Sequence, residues 1–289
     1  MSIVGGLPKA VERAHAAGCD TLQIFTTSSG QWRARPLPDP EIAAFRQACV
    51  ELDVRPVLAH ASYLINLGSP DGALQTRSRT ALGEELDRAE ALGLLGVVLH
   101  PGSYTTTSER AGLTRIAQGI VAVLSERANQ QTMLLLEHTA GQGTNLGHTF
   151  EQLGAIITDA EARGTPPIGL CLDTCHLLAA GYDLGSDKSY ADTMAQLEQQ
   201  VGLDRIRAIH LNDSKTPLGS RVDRHTHIGS GHVGLGAFRR LLRDPRMQAL
   251  PMVLETPKER SGTTAAIDAD PMDLENLRVL RELMTGEAS

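Results

Sequence analysis

The sequence has few of the features that mark secreted, membrane-embedded or disulfide-rich proteins. It contains no run of about 18 apolar residues, so we expect no membrane-spanning helix. The N-terminal residues lack the long apolar stretch of a secretory signal, and only four cysteines occur among 289 residues. Cys171 and Cys175 do not have the C-x-x-C spacing of a structural zinc site. These absences predict a cytoplasmic protein whose cysteines are free thiols.

Basic residues are in the minority. The formal net charge of −7 argues against a broad basic surface that binds nucleic acid by counterion release alone. A local positive site remains compatible with this charge, because bound divalent ions offset clustered carboxylates and histidines. The sequence has neither a P-loop nor a G-x-G-x-x-G motif after its first predicted strand, which argues against nucleotide-binding open sheets.

What the sequence does contain is an alternation of short aliphatic runs and amphipathic segments. With 41% hydrophobic residues, it can bury a sizeable core. The runs are apolar nearly throughout, as in parallel strands covered on both faces; they comprise residues 21–25, 55–60, 95–100, 132–137, 168–173, 205–211 and 251–255. Between the runs, apolar residues recur at helical spacing, for example Ile42, Phe45, Cys49 and Leu52.

Seven strands that alternate with helices at a repeat of roughly forty residues predict an α/β fold. We expect one (β/α)₈ TIM-barrel domain over residues 1–289 that lacks its first strand, with an open doubly wound sheet as the alternative. Residues 7–18 are predicted to form a helix, with Pro8 in its first turn and Gly18 at its end. Because a strand should precede this helix, we expect a shifted start site or a truncation that leaves strand edges unpaired.

Six successive runs end in a residue of the metal-ligand type. These residues are 36 to 45 positions apart, and they are His60, His100, Glu137, Asp173, His210 and Glu255. Because the C-terminal ends of barrel strands meet on one face, we expect their side chains to form one site. Three further candidates follow strand ends in loops, namely His176, Asp223 and His225.

Together these nine candidates are five imidazoles and four carboxylates. A mixed nitrogen and oxygen set favours Zn²⁺, with Mn²⁺ or Fe²⁺ as alternatives, over the all-oxygen sites of Mg²⁺ and Ca²⁺. A catalytic zinc typically has three protein ligands, so nine candidates suit several ions, or three if one carboxylate is shared. Neighbouring ions of this kind are typical of phosphate-ester hydrolysis.

Longer motifs surround the same residues. They are AHASYLINLGSP (59–70), LHPGS (99–103), EHTAGQGTNLG (137–147), CLDTCHLLAAGYD (171–183), HLNDSK (210–215), GSRVDRH (219–225) and LETP (254–257). In content and order these motifs resemble the endonuclease IV family (AP endonuclease family 2, bacterial type). The resemblance covers essentially the whole chain.

The resemblance implies a (β/α)₈ barrel that binds three zinc ions, with Mn²⁺ as an alternative for some of them. Carried over residue by residue, the ligands would be His60, His100 and Glu137 for the first ion, Glu137, Asp173, His210 and Glu255 for the second, and His176, Asp223 and His225 for the third. Glu137, Asp173 and Glu255 are the expected catalytic carboxylates. His227, inside the histidine-rich stretch RVDRHTHIGSGH (221–232), is expected to support these ligands from a neighbouring position.

Members of the family are deoxyribonuclease IV-type hydrolases that cut the DNA backbone 5′ to abasic sites and trim blocked 3′ ends in base excision repair. The resemblance therefore implies damaged double-stranded DNA as the partner of a monomeric enzyme. Its expected DNA contacts are Gln31, Trp32, Tyr63, Arg221 and Arg224. Packing of the two aromatic side chains and surface ion pairing of the arginines are the structural alternatives.

The chain departs from the family at two further positions. Gly30 stands where relatives often carry a bulky basic residue that enters the DNA stack, and Arg33 or Arg35 would have to substitute for it. His138 stands in place of an asparagine beside Glu137.

Two other functions compete with the endonuclease interpretation. A sugar isomerase or epimerase on the same barrel also binds metal at the strand ends, and one ion per chain would favour it. A DNA-end binding protein with a decayed site is the non-catalytic alternative.

Overall fold

The computed structural model describes residues 1–27, 30–33, 35–258 and 269–286. These residues form two compact units. Unit 1 consists mainly of residues 1–137 and 155–169, and unit 2 consists of residues 138–154, 170–258 and 270–286.

Unit 1 contains four parallel strands, β1 (Leu22–Ile24), β2 (Val57–His60), β3 (Gly96–Leu99) and β4 (Met133–Glu137). They pair in sequence order, with Ala59 beside Ile24 and beside Val97, and Val97 beside Leu134. Nearly all their residues are buried, which explains the uninterrupted apolar runs in the sequence. A further two-residue strand lies at Gly102–Ser103.

The helices of unit 1 alternate with these strands as predicted, beginning with α1 before β1. They are α1 (Leu7–Ala16), α2 (Asp39–Glu51), α3 (Gly72–Leu92), α4 (Glu109–Leu124) and the 3₁₀ turn Ser125–Arg127. The helix α3 begins where the carboxylate of Asp71 accepts hydrogen bonds from the first free backbone N–H groups, and it ends at the left-handed Gly93. Of the four residues at helical spacing, Phe45 and Cys49 are buried in α2, Ile42 is half-buried in it, and Leu52 follows its last residue.

The chain enters α1 without a preceding strand. Residues 1–6 contain no strand, in agreement with the prediction that the first strand of the barrel is missing. The amino group of Met1 nevertheless donates a hydrogen bond to the carbonyl oxygen of Gln23 in β1, at 2.6 Å. The buried Arg13 donates to the carbonyl oxygens of Ser2 and Val4. The N-terminal segment therefore satisfies part of the β1 edge that the sequence left unpaired.

Unit 2 contains three parallel strands, β5 (Gly169–Asp173), β6 (Ile206–His210) and β7 (Met252–Val253). In their register, His210 lies beside Asp173 and beside Val253. The helices are α5 (Phe150–Ala162), which runs from unit 2 into unit 1, α6 (Thr174–Ala180), α7 (Asp187–Gln200), α8 (Leu235–Arg243) and α9 (Pro271–Thr285), with a 3₁₀ turn at Leu203–Arg205.

Short strands complete unit 2. Asp213–Ser214 pairs with His225–Thr226 in an antiparallel ladder, and Asn145–Leu146 forms another two-residue strand. All seven predicted parallel strands are therefore present in the described part of the chain. Within the same residues, no helix is long and apolar enough to cross a membrane.

Candidate metal centres

The candidate ligands of unit 1 lie at the C-terminal ends of neighbouring strands. His60 is the last residue of β2, Glu137 is the last residue of β4, and His100 directly follows β3. Glu137 is fully buried and His60 nearly so, whereas the side chain of His100 is 28% exposed. Both imidazoles approach the same carboxylate oxygen, Glu137 Oε2, with Nε2 at 3.1 Å for His60 and 3.0 Å for His100.

The hydrogen bonds of His60 fix its tautomer. Its Nδ1 lies 2.7 Å from the carbonyl oxygen of Ala61, and a carbonyl can only accept, so Nδ1 carries the proton. In a neutral imidazole, Nε2 is then an acceptor and faces the Glu137 oxygen, which is also an acceptor. A cation satisfies both atoms. The separations agree with a shared ion, because ligand atoms around a tetrahedral zinc are about 3.3 Å apart.

Tyr63 lies beside this cluster. Its ring centroid is 5.0 Å from that of His60 and 5.7 Å from that of His100. Tyr63 is 57% exposed, so it packs against these rings and also presents surface to solvent, and its contact with DNA stays a prediction. Phe25 packs against both His60 and Tyr63, with centroids 5.3 and 5.4 Å away.

A second group of candidates lies at the strand ends of unit 2. Asp173 and His210 are the last residues of β5 and β6, and Glu255 follows β7 by two residues. The Nδ1 atom of His210 is 3.2 Å from Glu255 Oε2 and 3.8 Å from Asp173 Oδ2. Asp173 and His210 are fully buried. A buried group of this composition suits a divalent ion.

The third group contains His176, Asp223 and His225. Asp223 binds one imidazole with each oxygen, at 3.2 Å from His176 Nε2 and 3.1 Å from His225 Nε2. As in unit 1, a carbonyl fixes a tautomer, because His176 Nδ1 lies 2.9 Å from the oxygen of His138. His225 Nε2 is also 3.7 Å from Asp173 Oδ2.

The electrostatics of this third group favour positive charge. Burial lowers the pKa of His225, but the charge of Asp173 and the hydrogen bonds with Asp223 and Cys175 raise it to about 11. Burial raises the pKa of Asp223, but its hydrogen bonds with the two imidazoles hold it well below the usual range. The same negative charge that stabilises a protonated imidazole here can stabilise a metal cation in its place.

The sequence analysis missed a set of polar side chains that fix these carboxylates. The buried Asn212 donates to Asp173 Oδ2 at 2.5 Å and accepts a hydrogen bond from the Glu255 backbone N–H at 2.8 Å. Thr174 Oγ1 in turn accepts from the Asn212 backbone N–H, at 2.9 Å. The only sequence feature that pointed to them was the polar pair Asn212 and Asp213 in HLNDSK, and a motif does not show which groups its side chains contact.

Cys175 was also missed. It is fully buried, and its sulfur belongs to a group with Asp173 and His225 whose ligand atoms all lie within 4.8 Å of one another. It is a free cysteine, as predicted. His138 is likewise buried, in unit 2, where it packs against the stacked rings of Phe150 and Tyr182, each with its centroid 5.4 Å away.

The expected DNA contacts lie on loops. Gln31 is exposed, and the half-buried Trp32 lies under the guanidinium of Arg77, at 4.4 Å from Cζ to the ring centroid. Residues 28, 29 and 34 of this loop lie outside the described residues. Arg221 and Arg224 are exposed in unit 2, on the segment that carries Asp223 and His225. His227 accepts a hydrogen bond from Asn276 through Nδ1, at 3.2 Å.

Residues 11–283 match the family described as xylose isomerase-like TIM barrel. The chain is 47% identical to a probable endonuclease 4 from Trichlorobacter lovleyi, over 98% of this chain and 97% of that protein. The chain belongs to the endonuclease IV family. Among solved structures, the crystal structure of endonuclease IV from Thermus thermophilus matches with a TM-score of 0.84 and 38% identity, over 100% of this chain and 98% of that chain.

A D-allulose 3-epimerase from Methylomonas sp. matches with a TM-score of 0.68 but only 18% identity, over 97% of this chain and 92% of that chain. It shows the shared barrel fold alone. The endonuclease IV matches therefore confirm the predicted family, the TIM-barrel fold class with its missing strand, and the assignment of the chain to enzymes of the endonuclease IV class.

Proposed function

We propose that this endonuclease IV family member is a zinc-dependent AP endonuclease, built as one TIM-barrel domain. It hydrolyses the DNA phosphodiester bond 5′ to abasic sites and trims blocked 3′ ends in base excision repair. The observation that carries the proposal is the grouping of the candidate ligands. In unit 1, two imidazoles face the carboxylate of Glu137, and the six candidates of unit 2 form two further groups.

Zinc is the proposed metal because each group mixes imidazole with carboxylate. We assign one ion to His60, His100 and Glu137, and one to His176, Asp223 and His225. The remaining ion is assigned to Asp173, His210 and Glu255; that Glu137 also binds this ion stays a prediction from the family resemblance. Replacement of some zinc by Mn²⁺ is compatible with the same ligands.

When bound, such ions lower the pKa of water and offset the charge on phosphoryl oxygens. The chain itself supplies orientation. Glu137, Asp173 and Glu255 are the proposed catalytic carboxylates, and the first two are fully buried, so their side chains have little freedom. The Ala61 carbonyl holds His60 in one tautomer, and the amide of Asn212 fixes one oxygen of Asp173.

Five side chains are proposed to contact DNA. The exposed Tyr63 stands directly beside the unit 1 cluster, where it can contact a nucleotide that enters the site. The two arginines flank Asp223 and can neutralise backbone phosphates. The complete set is Gln31, Trp32, Tyr63, Arg221 and Arg224. Flipping an abasic nucleotide out of a duplex costs little free energy, because its base stacking and pairing are already lost.

Incision of a duplex oligonucleotide with one stable abasic analogue tests the proposal. The matched controls are an intact duplex and enzyme treated with a chelator. We expect a single cut on the 5′ side of the lesion, no cut in the intact duplex, and loss of activity after chelation that added zinc restores. A separate substrate with a blocked 3′ end tests the trimming activity. Absence of cutting by zinc-loaded enzyme would overturn the proposal.

The sugar epimerase alternative is supported by the fold alone. It predicts one ion per chain and interconversion of ketose epimers without DNA cleavage, so metal content and a sugar assay separate the two functions. A cytoplasmic location and a monomeric state are part of the proposal, and size-exclusion chromatography with light scattering tests the latter.

A further inference from the structure

We propose that Asp213 is a positioning residue for one metal centre, because its carboxylate holds the loop that presents Asp223 and His225. The inference rests on the proposed function, since it concerns the ion assigned to His176, Asp223 and His225. Asp213 belongs to HLNDSK, and its partners belong to the glycine-containing end of RVDRHTHIGSGH. It thus joins two motifs of the same site.

The Asp213 side chain is completely buried, and both of its oxygens are occupied by backbone donors. Oδ1 accepts hydrogen bonds from the N–H groups of Ser214 at 2.8 Å and Val233 at 2.9 Å. Oδ2 accepts from Gly229 at 2.9 Å and Gly231 at 3.1 Å. Hydrogen bonds to an ionised acceptor are about twice as strong as neutral ones, so this carboxylate fixes the far end of the loop.

Asp213 differs from the candidate ligands in what it faces. Within the described ranges, the groups of side chains able to hold a metal do not include it. Its four donors are backbone groups of its own neighbour and of residues 229–233. Its charge therefore acts on the backbone, and it reaches the ion only through the loop.

The glycine at position 231 is required by this arrangement. A Cβ atom there would lie 2.3 Å from the carbonyl oxygen of Ser214 and 2.5 Å from Asp213 Oδ1, which is closer than real Cβ contacts. The next residue, His232, donates its backbone N–H to the same Ser214 oxygen at 2.8 Å. Only a residue without a side chain lets the returning backbone approach the carboxylate.

The loop between these attachments carries the ligands. Thr226 pairs with Asp213 and His225 pairs with Ser214 in the antiparallel ladder, and Lys215 donates its N–H to the Arg224 carbonyl. The hydrogen bond between Lys215 and Arg224 thus closes a loop over residues 215–224, which contains Asp223. The chain then passes through His225, and residues 229–233 return to the Asp213 carboxylate. Loss of that carboxylate would release one end and raise the entropy that metal binding must overcome.

The decisive variant is Asp213→Asn, which keeps the volume but presents an amide N–H₂ to N–H donors. We expect it to hold one zinc fewer per chain than the wild type at equal free zinc, with zinc affinity at that centre lower by about 10–100-fold. Its kcat should fall at limiting zinc and recover as free zinc is raised.

A combination of variants identifies which ion is lost. Asp223→Asn removes a proposed ligand of the same centre, so the double variant with Asp213→Asn should lose no more zinc than Asp223→Asn alone. The matched control is Asp244→Asn, another buried carboxylate of unit 2. It accepts hydrogen bonds from Tyr190 and Arg246, neither of which is a proposed ligand. It should lower the melting temperature and leave zinc content and the zinc dependence of kcat unchanged.

Gly231→Ala is the second test, and it decides the matter if Asp213→Asn fails to fold. It leaves every side chain of the site intact, and we expect the same loss of one zinc. Wild-type zinc content in both Asp213→Asn and Gly231→Ala, with unchanged zinc dependence of kcat, would overturn this inference alone. A wild-type chain that binds no zinc would overturn the proposed function, and this inference with it.

Discussion

The candidate ligands of unit 1 and those of unit 2 are held in place by different means. In unit 1, all three follow directly from parallel strands, and the strand ladder itself sets their spacing. In unit 2, Asp173 and His210 are placed in the same way, but Asp223 lies on a loop and His225 on a two-residue antiparallel strand, and the segment that carries both needs its own anchor. Strand-end ligands depend on the barrel, whereas loop ligands depend on a few buried polar groups.

This difference predicts which substitutions would disrupt each candidate metal centre. The unit 1 cluster has one carboxylate for two imidazoles, so its weak point is Glu137 itself. The unit 2 groups share several carboxylates, supported by Asn212 and Thr174, and their weak points include residues that never touch an ion. Variants in the two regions should therefore fail in different ways.

The largest effect is expected from Glu137→Gln. The amide keeps the shape of the side chain but removes the charge that both imidazoles face, and incision should fall by about 10²–10³-fold or more. Without metal, the amide can donate to an imidazole Nε2, so the melting temperature of the ion-free protein should not fall. Incision assays and calorimetry measure the two effects. Retained activity would show that the carboxylate is dispensable.

Asp223→Asn should have the next largest effect. It removes one proposed ligand of a single ion, so we expect zinc content to fall by one per chain and incision to fall by about 10²-fold. The side chain is 37% exposed, so the stability of the fold should change little. Elemental analysis of dialysed protein is the measurement. Loss of all zinc would contradict the assignment of separate centres.

A paired experiment tests the contrast between the two regions directly. Asn212→Ala removes the amide that binds Asp173 and the Glu255 backbone, and we expect zinc affinity to fall by about 10–100-fold. Asn66→Ala removes a comparable amide of unit 1, which binds the N–H groups of Gly68 and Ser103. It should leave zinc affinity unchanged, because strands place the nearby ligands. Chelator competition measures the zinc affinity of both variants. Equal losses of affinity would contradict the contrast between the two units.

The smallest effect is expected outside both groups, at Gly30→Arg. A Cβ atom at Gly30 would meet nothing within 4 Å in the part of the chain that the structure describes, so there is room for a basic side chain at this position. Affinity for abasic duplex should rise a few-fold, with a salt dependence steeper by about one counterion. Zinc content should stay the same. Fluorescence anisotropy at several salt concentrations checks this, with Gly30→Ala as control.

Much of the architecture could be predicted from the sequence, and the reason is physical. Buried parallel strands demand apolar residues on both faces, so a polar residue that ends such a run, as His60 or Asp173 does, stands out. The candidate ligands Asp223 and His225 do not end an apolar run, so their place in the loops after the His210 strand marked them less sharply, and only the family resemblance assigned them to one ion. The separate question of which ion each residue binds stays a prediction.

The anchors could not be predicted at all. Asp213 acts through backbone N–H groups, which every residue except proline possesses, so no pattern of side chains reveals its partners. Asn212 bridges residues that are 39 and 43 positions away in the chain, a relation that only the fold creates. The N-terminal segment also differed from expectation, since Met1 covers part of the β1 edge without forming a strand.

The glycine at position 231 has a consequence for how this protein tolerates mutation. It offers no side chain to substrate or metal, yet every replacement would push the backbone away from the Asp213 carboxylate. In a saturation mutagenesis screen for survival of DNA damage, this position should therefore be as intolerant as a metal ligand. More positions can therefore inactivate the enzyme when substituted than the positions whose side chains contact metal or substrate.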